Sequence, residues 1–327
     1  MKSLLTAALL LTLALPLAAA QPAYDARLSG YAYPFPVRIH SLSSQGQELE
    51  MAYMTLEAGA DAPWAVLLHG KNFNGAYWAE TARFLQARGW NVLMPDQVGF
   101  GKSSKPDTYQ YSFAALAANT AGLLDALGIG RAVVVGHSMG GMLASRFALQ
   151  HPERTVELIL INPIGLENYL EFVEYRDPAF FEANEKALTA EKIRAYQQAN
   201  YYDGAWSERY AALTEPLVGW VQGPDRDLIA RVNARTYDMI FTQPVVTEFQ
   251  DLTVPVSLIL GTRDRTGPGR GWKRPDVTRE LGRYDRLGLE TLARIPHAEL
   301  FQLEGLGHLP QIEDFAGFSE ALVQALP

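Results

Sequence analysis

The amino-acid sequence predicts an α/β protein whose central sheet is mostly parallel, is flanked by helices and is interrupted by one helical insertion. Short apolar runs alternate with segments of helical periodicity, a pattern typical of β-α-β units whose strands are buried on both faces. The alternation stops over residues 165–251, where no strand-like run occurs. The length of 327 residues fits about two domains, or one large core that carries an insertion.

The individual strands and helices follow from these patterns in chain order. Residues 37–56 alternate in polarity around the turn Ser44-Gln45-Gly46, which predicts a β-hairpin. The apolar runs that predict buried parallel strands are 64–69, 91–94, 132–136, 157–161, 256–260 and 299–303. The helical stretches are 77–88, 113–127, 139–150 and 315–326.

The insertion is expected to form a cap of several helices over the sheet. Its predicted breaks are at Asp177-Pro178, Asp203-Gly204, Glu215-Pro216 and Gly223-Pro224. It is rich in aromatic residues, most of which we expect to pack within the cap while some line an apolar pocket. The predicted domains are therefore a core of residues 21–164 and 252–327 and a cap of residues 165–251.

The first twenty residues have the pattern of a cleavable signal peptide. Met1-Lys2 is a short positive start, residues 4–17 are mostly apolar, and Ala18-Ala19-Ala20 supplies small residues before Gln21. The apolar stretch is short for a membrane span of about 20 residues. We therefore expect a signal peptide at 1–20, export to a periplasm or out of the cell, and no stable membrane anchor after cleavage.

The composition excludes some kinds of chemistry and some classes of binding partner. The chain has no cysteine, which excludes disulfides, thiolate metal sites and a cysteine nucleophile. Its formal net charge of -8 repels phosphate backbones, so nucleic acid is not an expected partner. We expect a small-molecule substrate and neither a cofactor nor a metal, while the oligomeric state stays open.

The strongest functional signal is the segment Gly136-His137-Ser138-Met139-Gly140-Gly141. It is a G-x-S-x-G motif that follows a predicted strand and opens a predicted helix, the context in which the serine sits on a sharp turn. A side chain at Gly136 or Gly140 would clash with neighbouring backbone in such a turn. Ser138 is therefore the predicted nucleophile.

A serine hydroxyl needs a base, and the base needs a carboxylate that orients it. His308 is the predicted base because it lies on a glycine-containing loop after the last predicted strand. Asp264 is the predicted carboxylate because it follows the strand at 256–260, at the sheet edge where this fold class binds ligands. Asn162 ends the preceding strand but cannot supply a charge. The other histidines are expected to have structural roles.

The oxyanion that serine attack creates needs two hydrogen-bond donors. The backbone N–H of Met139, directly after the serine, is one predicted donor. The loop at 68–73 is expected to supply the other, with the Lys71 N–H as first choice, the Asn72 N–H as second and the Asn72 side chain as a further donor. The Lys71 ammonium group itself is expected to be a solvated surface charge. Asp96 is expected to hold a turn by accepting nearby backbone N–H groups.

Together these motifs resemble the α/β-hydrolase superfamily over essentially the whole mature chain. The matching segments are 68–70, 96–104, 136–141, 261–264 and 307–308. The order Ser, Asp, His along the chain is also that of the superfamily. The resemblance implies the α/β-hydrolase fold with a helical cap similar to that of esterases, meta-cleavage-product hydrolases and proline iminopeptidases. One departure is the long segment at 266–288, which either borders the pocket or is surface decoration.

The resemblance implies a cofactor-independent serine hydrolase that cleaves a small or medium apolar carboxylic ester through an acyl-enzyme. Three alternatives stay open. The same three residues serve carbon–carbon bond hydrolysis of a vinylogous diketone. They also serve proline iminopeptidases, in which Glu171, Glu174 or Glu208 would hold the amino group of the substrate. Finally, some proteins of this fold are ligand receptors with slow or no turnover.

Overall fold

The computed structural model describes residues 22–295 and 297–327, so the predicted signal peptide lies outside the described residues. The strands are β1 Arg38–Ser44, β2 Gln47–Leu56, β3 Trp64–Leu68, β4 Asn91–Pro95, β5 Ala132–His137, β6 Thr155–Ile161, β7 Val256–Gly261 and β8 Ala298–Leu303. They form one sheet in the order β1-β2-β4-β3-β5-β6-β7-β8. β2 pairs antiparallel with β1 and β4, whereas every other neighbouring pair is parallel.

Helices cover both faces of this sheet. They are α1 Ala79–Gln86, α2 Phe113–Ala126, α3 Met139–Gln150, α4 Pro178–Lys186, α5 Ala190–Asn200, α6 Glu208–Gln222, α7 Arg226–Thr242, α8 Tyr284–Leu292, α9 Pro310–Glu313 and α10 Phe315–Ala325. On β5, Val133 and Val135 belong to one buried cluster and Val134 to the other. Because successive side chains of a strand point to opposite faces, the sheet is buried on both sides, as the continuous apolar runs predict.

The hairpin is confirmed, since Ser44 pairs with Gln47 at the predicted turn. One helix was not predicted, and one predicted break is wrong. Sequence patterns missed α8, whose buried Tyr284 and Leu287 are too few to stand out in a stretch rich in Arg and Gly. The predicted break at Glu215-Pro216 is wrong, because Pro216 lies inside α6. A proline removes one N–H from the helix, and buried residues on the following turn keep α6 packed.

The insertion between β6 and β7 consists of α4, α5, α6 and α7 with short connections. α4 packs along α7. Buried residues of α7, such as Val232 and Met239, belong to the same apolar cluster as Val134 of the sheet. The insertion is therefore seated on the core. None of the helices in the described ranges has both the length and the apolar character needed to cross a membrane.

The N-terminal strap, which we define as residues 22–36, reaches the cap first. The Tyr24 N–H donates to the Gly219 carbonyl oxygen at 2.9 Å, and Trp220 Nε1 donates to the Asp25 carbonyl oxygen at 3.1 Å. The Tyr24 ring lies so close to α6 that a Cβ added to Gly219 would come within 2.0 Å of a ring carbon. The start of the described chain is thus packed directly on a cap helix.

The same strap then binds the core. The Arg27 guanidinium donates from Nη1 to Ser104 Oγ at 3.0 Å, and the Tyr33 hydroxyl donates to Asp96 Oδ2 at 2.6 Å. Between these contacts, Leu28 is fully buried in a small cluster with residues of α6 and α7. The strap therefore connects the cap to the loop that follows β4.

Candidate active site

The turn between β5 and α3 consists of Ser138 alone. Its φ of 57° and ψ of -124° lie outside the regions that L residues ordinarily adopt. A Cβ on Gly136 would come within 2.2 Å of the Gly140 carbonyl oxygen, and one on Gly140 would come within 2.2 Å of the Leu68 carbonyl oxygen. The two glycines thus allow the close backbone approach that places Ser138 at the carboxyl end of the sheet.

The structure brings the predicted residues Ser138, His308 and Asp264 into one hydrogen-bonded relay. Ser138 Oγ lies 3.0 Å from His308 Nε2, and His308 Nδ1 lies 2.7 Å from Asp264 Oδ2. His308 and Asp264 are fully buried and Ser138 is 6% exposed. Because an ionised carboxylate only accepts, Nδ1 carries the proton and Nε2 accepts from the serine hydroxyl.

Two further groups hold Asp264 in place. The Thr266 N–H donates to Oδ1 at 2.7 Å, and Asn162 Nδ2 donates to Oδ2 at 2.9 Å. Burial acting alone would raise the pKa of Asp264, but the charge and hydrogen bond of His308 and the hydrogen bonds of Thr266 lower it below its usual value. Sequence reasoning treated Asn162 only as a position without charge and missed its function as a donor.

A second hydrogen-bond chain lies beneath Ser138. The Gly70 N–H donates to Tyr77 Oη at 3.3 Å, Tyr77 Oη lies 2.9 Å from His137 Nδ1, and His137 Nε2 lies 2.8 Å from the His308 carbonyl oxygen. Since a carbonyl only accepts, Nε2 of His137 donates and Nδ1 accepts from the Tyr77 hydroxyl. Burial, aided by His308, lowers the pKa of His137 to about 3, so the ring stays neutral. The chain couples the loop after β3 to the loop that carries His308.

The predicted oxyanion donors have open N–H groups. Among the residues that the structure describes, the Lys71 and Met139 N–H groups have no hydrogen-bond acceptor, and the same holds for the Asn72 N–H. Gly70 brings this loop against the serine, because a Cβ on Gly70 would lie 3.0 Å from Ser138 Cβ. These groups therefore lie on both sides of Ser138 with their donors unused.

Tyr201, directly after α5, covers the relay from the cap. Its ring stacks on the His308 ring with the ring centres 4.7 Å apart, and its carbonyl oxygen accepts the His308 N–H at 3.4 Å. Its hydroxyl accepts from Asn72 Nδ2 at 2.9 Å. One donor of the Asn72 side chain is therefore used by the cap.

The prediction for the Lys71 ammonium group is wrong. Its side chain is only 8% exposed, and Nζ lies 3.9 Å from Glu185 Oε1 and 5.1 Å from the centre of the Tyr237 ring. Burial lowers the pKa of Lys71, and the charge of Glu185 partly offsets this. The prediction fails because the residues that cover Lys71 belong to α4 and α7, more than a hundred positions along the chain.

A cavity of about 360 Å³ lies under the cap, and it is lined by Asn72, whose side chain binds the hydroxyl of Tyr201. Its wall is mostly aromatic and aliphatic, and Glu185 is the one charged residue among the described residues that line it. Trp272 also lines the cavity, so the segment at 266–288 borders the pocket and is more than surface decoration.

The three acidic cap residues considered for binding an amino group do not meet this cavity. Glu171, Glu174 and Glu208 are all exposed, and none of them is among its lining residues in the described part of the chain. The structure therefore offers no support for the iminopeptidase alternative from these residues.

Asp96 holds its turn as expected. Its Oδ1 accepts the Gly75 N–H and its Oδ2 accepts the Lys102 N–H, both at 2.7 Å. The same carboxylate accepts the hydroxyl of Tyr33 from the strap. These contacts assign Asp96 to the architecture of the loop after β4.

Comparison with known proteins places this site in a family. A family model described as the α/β hydrolase fold matches residues 63–315. The crystal structure of a probable hydrolytic enzyme from Pseudomonas aeruginosa is 44% identical, covers 94% of this chain and 99% of that chain, and superimposes with a TM-score of 0.91.

Curated relatives are hydrolases by name. "Putative carbamate hydrolase RutD" from Pseudomonas syringae is 29% identical over 270 residues, covering 80% of this chain and 93% of its own length. 2-Hydroxymuconate semialdehyde hydrolase from Pseudomonas putida is 40% identical over 105 residues, which are 31% of this chain and 37% of that protein. From the family model, the near-complete structural match and the eight-stranded sheet, this chain belongs to the α/β-hydrolase family.

Proposed function

We propose that this α/β hydrolase is a serine esterase that cleaves a small or medium, largely apolar carboxylic ester. The observation that carries the proposal is the relay from Ser138 through His308 to Asp264, with contacts of 3.0 and 2.7 Å. A serine hydroxyl aligned with an imidazole nitrogen, in a ring that is itself held by a buried carboxylate, is the arrangement that attacks a carbonyl carbon.

The mechanism follows from the direction of these hydrogen bonds. His308 Nε2 takes the hydroxyl proton of Ser138 as Oγ attacks the carbonyl carbon of the ester. The N–H groups of Met139 and Lys71 bind the oxyanion, and Asp264 stabilises the imidazolium. His308 then gives the proton to the leaving oxygen, which departs as an alcohol and leaves an acyl group on Ser138. Water activated by His308 hydrolyses the acyl-enzyme and releases the acid.

The test is the hydrolysis of p-nitrophenyl esters from acetate to palmitate. We expect turnover with an optimum at short or medium chains, because the cavity of about 360 Å³ limits the acyl length. Ser138→Ala is expected to lower kcat by roughly 10⁴-fold or more. Ser145→Ala is the matched control, since Ser145 lies on the same helix with its hydroxyl bonded to the Gly141 carbonyl oxygen.

Equal turnover by wild type and Ser138→Ala would contradict the proposal. Labelling of Ser138 by a fluorophosphonate without turnover of any ester would instead favour a ligand receptor of the same fold.

Carbon–carbon bond hydrolysis is the second candidate, because the 2-hydroxymuconate semialdehyde hydrolase match reaches 40% identity over its 105 residues. The relay would serve that reaction unchanged. A ring-cleavage diketone and a p-nitrophenyl carbamate, the latter suggested by the RutD name, therefore belong in the same assay. A kcat/KM for either that exceeds the best ester would replace the ester as the proposed substrate.

We also propose that the protein is exported, on the support of the charged, apolar and small-residue pattern of residues 1–20. Cell fractionation and N-terminal sequencing test this. A mature terminus near Gln21 in an extracytoplasmic fraction is the expected result, and an intact Met1 in the cytoplasm would contradict it.

A further inference from the structure

Lys71 and Glu185 form a buried charge pair that the proposed mechanism does not use. Lys71 belongs to the loop beside Ser138, whereas Glu185 comes from α4 of the cap. Their side chains are 8% and 18% exposed, and Nζ lies 3.9 Å from Oε1. Glu185 lines the cavity, so the pair joins the core to the cap beside the cavity.

The hydrogen-bonding capacity of this pair is unevenly used. Glu185 Oε2 accepts from Asn233 Nδ2 at 3.0 Å. Within residues 22–295 and 297–327, Lys71 Nζ has no acceptor at hydrogen-bonding distance, because the Glu185 oxygen is too far away and the Tyr237 ring offers only its face. A buried ammonium with unused N–H groups is costly, so an oxygen acceptor placed beside Nζ would be stabilised.

The charge of the pair decides which acceptor fits. Lys71 and Glu185 together are neutral, and the described lining residues contribute no other charge. A second carboxylate would leave the cavity with an uncompensated negative charge beside Glu185. A neutral carbonyl oxygen accepts from the ammonium without disturbing this balance. An alkyl chain fits the apolar wall but leaves the N–H groups unused.

The orientation of the reaction identifies which part of the substrate reaches Lys71. The leaving oxygen must face His308, which donates the proton to it. In the proposed mechanism the Met139 and Lys71 N–H groups bind the oxygen of the acyl carbonyl. The acyl chain that continues from this carbonyl is therefore the part of the substrate that comes nearest to Lys71.

We propose that Lys71 donates a hydrogen bond to a neutral carbonyl oxygen in the acyl chain, and that the Lys71–Glu185 pair selects esters of such oxo acids. The selection acts against both plain alkyl chains and carboxylate-terminated chains of the same length. This inference rests on the proposed esterase function and names its substrate class.

Three p-nitrophenyl esters of nearly equal size test the inference at neutral pH: the hexanoate, the 5-oxohexanoate and the monoester of glutaric acid. They place a methylene, a neutral carbonyl and a carboxylate at the same distance from the scissile bond. We expect kcat/KM for the oxo ester to exceed that of the hexanoate by about tenfold or more, because one hydrogen bond to a charged donor is gained. The glutarate monoester is expected to be the slowest.

Two variants test whether Lys71 and Glu185 cause this selectivity between esters. Lys71→Met keeps the apolar stem and is expected to bring the ratio of oxo ester to hexanoate close to one. Glu185→Gln removes the negative charge and is expected to raise the ratio of glutarate monoester to hexanoate at least about tenfold. Ratios within one variant are compared, so that a change in overall activity cancels. Lys186→Met, at an exposed lysine next to Glu185, is the control and should leave both ratios unchanged.

Every outcome bears on the inference. It is overturned if wild type shows no oxo preference, if the glutarate monoester is preferred, or if Lys71→Met retains the oxo preference. In these cases Ser138-dependent turnover of the hexanoate would leave the proposed function standing. If Lys71→Met does not fold, the shift in Glu185→Gln decides, and its absence overturns the inference. No turnover of any of the three esters overturns the proposed function and the inference together.

Discussion

Two buried pairs of a carboxylate and a nitrogen base lie at this site, and they differ in where their partners come from. His308 and Asp264 both belong to loops of the core, 2.7 Å apart, and further N–H groups of the core bind the carboxylate. Lys71 and Glu185 join the core to the cap, 3.9 Å apart and without a hydrogen bond between them. The first pair finds its hydrogen-bond partners within the protein, whereas Lys71 of the second pair has unused N–H groups.

The difference separates chemistry from recognition. A pair whose side chains are hydrogen-bonded to each other and to further groups of the core keeps one geometry, which an acid–base step requires. A pair with unused donors beside a cavity can discriminate between substrates by whether they carry a hydrogen-bond acceptor. Changes to the first pair should therefore lower kcat for every substrate, and changes to the second should alter the choice between substrates.

Asp264→Asn would break the first pair with the largest effect. The amide can no longer hold the His308 Nδ1 proton as a charged acceptor, so we expect kcat to fall by about 10⁴-fold with the fold intact. Steady-state kinetics on the best ester, with thermal unfolding as the control, measure this. A loss below about tenfold would show that Asp264 does not orient the base.

Gly219→Ala would loosen the cap and so test whether only the second pair depends on it. The added Cβ meets the Tyr24 ring at 2.0 Å, so we expect the free energy of unfolding to fall by about 1–3 kcal/mol. The ratio of oxo ester to hexanoate should fall as Glu185 shifts, while fluorophosphonate labelling of Ser138 keeps its rate.

Gly122→Ala is the matched control for this change. Gly122 is also a helical glycine, but its added Cβ has nothing within 4 Å. Urea unfolding should therefore show no loss of stability for Gly122→Ala and up to about 1 kcal/mol of gain. Equal destabilisation by both substitutions would show that contact with the strap does not cause the effect of Gly219→Ala.

Asn162→Gly is expected to have the smallest effect on activity. It tests whether the hydrogen bonds to Asp264 position this carboxylate. Glycine keeps the positive φ of this residue but removes the 2.9 Å hydrogen bond to Oδ2 of Asp264 and the 2.9 Å hydrogen bond that Asn162 Oδ1 accepts from the Gly261 N–H. We expect a loss of about 1 kcal/mol, or roughly fivefold in kcat, with KM unchanged because Asn162 is not part of the cavity. A rise in KM with kcat preserved would contradict a positioning role.

The parts of the site that could be located from sequence are those with local signals. Ser138 is marked by a motif in its strand–turn–helix context, and Asp264 and His308 directly follow apolar strands. The carboxyl ends of neighbouring parallel strands meet at one sheet edge, so placing these residues required only the order of elements.

The parts that sequence reasoning missed depend on contacts between distant segments. Nothing near Lys71 in the sequence indicates that its side chain is buried, because the residues that cover it belong to the cap. Tyr77 and Asn162 gain their functions from partners on other strands and loops. Pro216 shows the same limit in the fold, since packing on the turn after it overrides a strong local preference for a break.

The strap has a consequence for the order in which the molecule assembles. Asp25 and Trp220, which it brings together, are separated by 195 positions in the chain. The strap therefore cannot make its cap contacts until α6 has been synthesised and has folded. Closing so large a loop comes late and contributes little to the rate of folding. The contacts between the strap and the cap should instead slow unfolding, so that this early segment of the chain stabilises the protein only after the cap has folded.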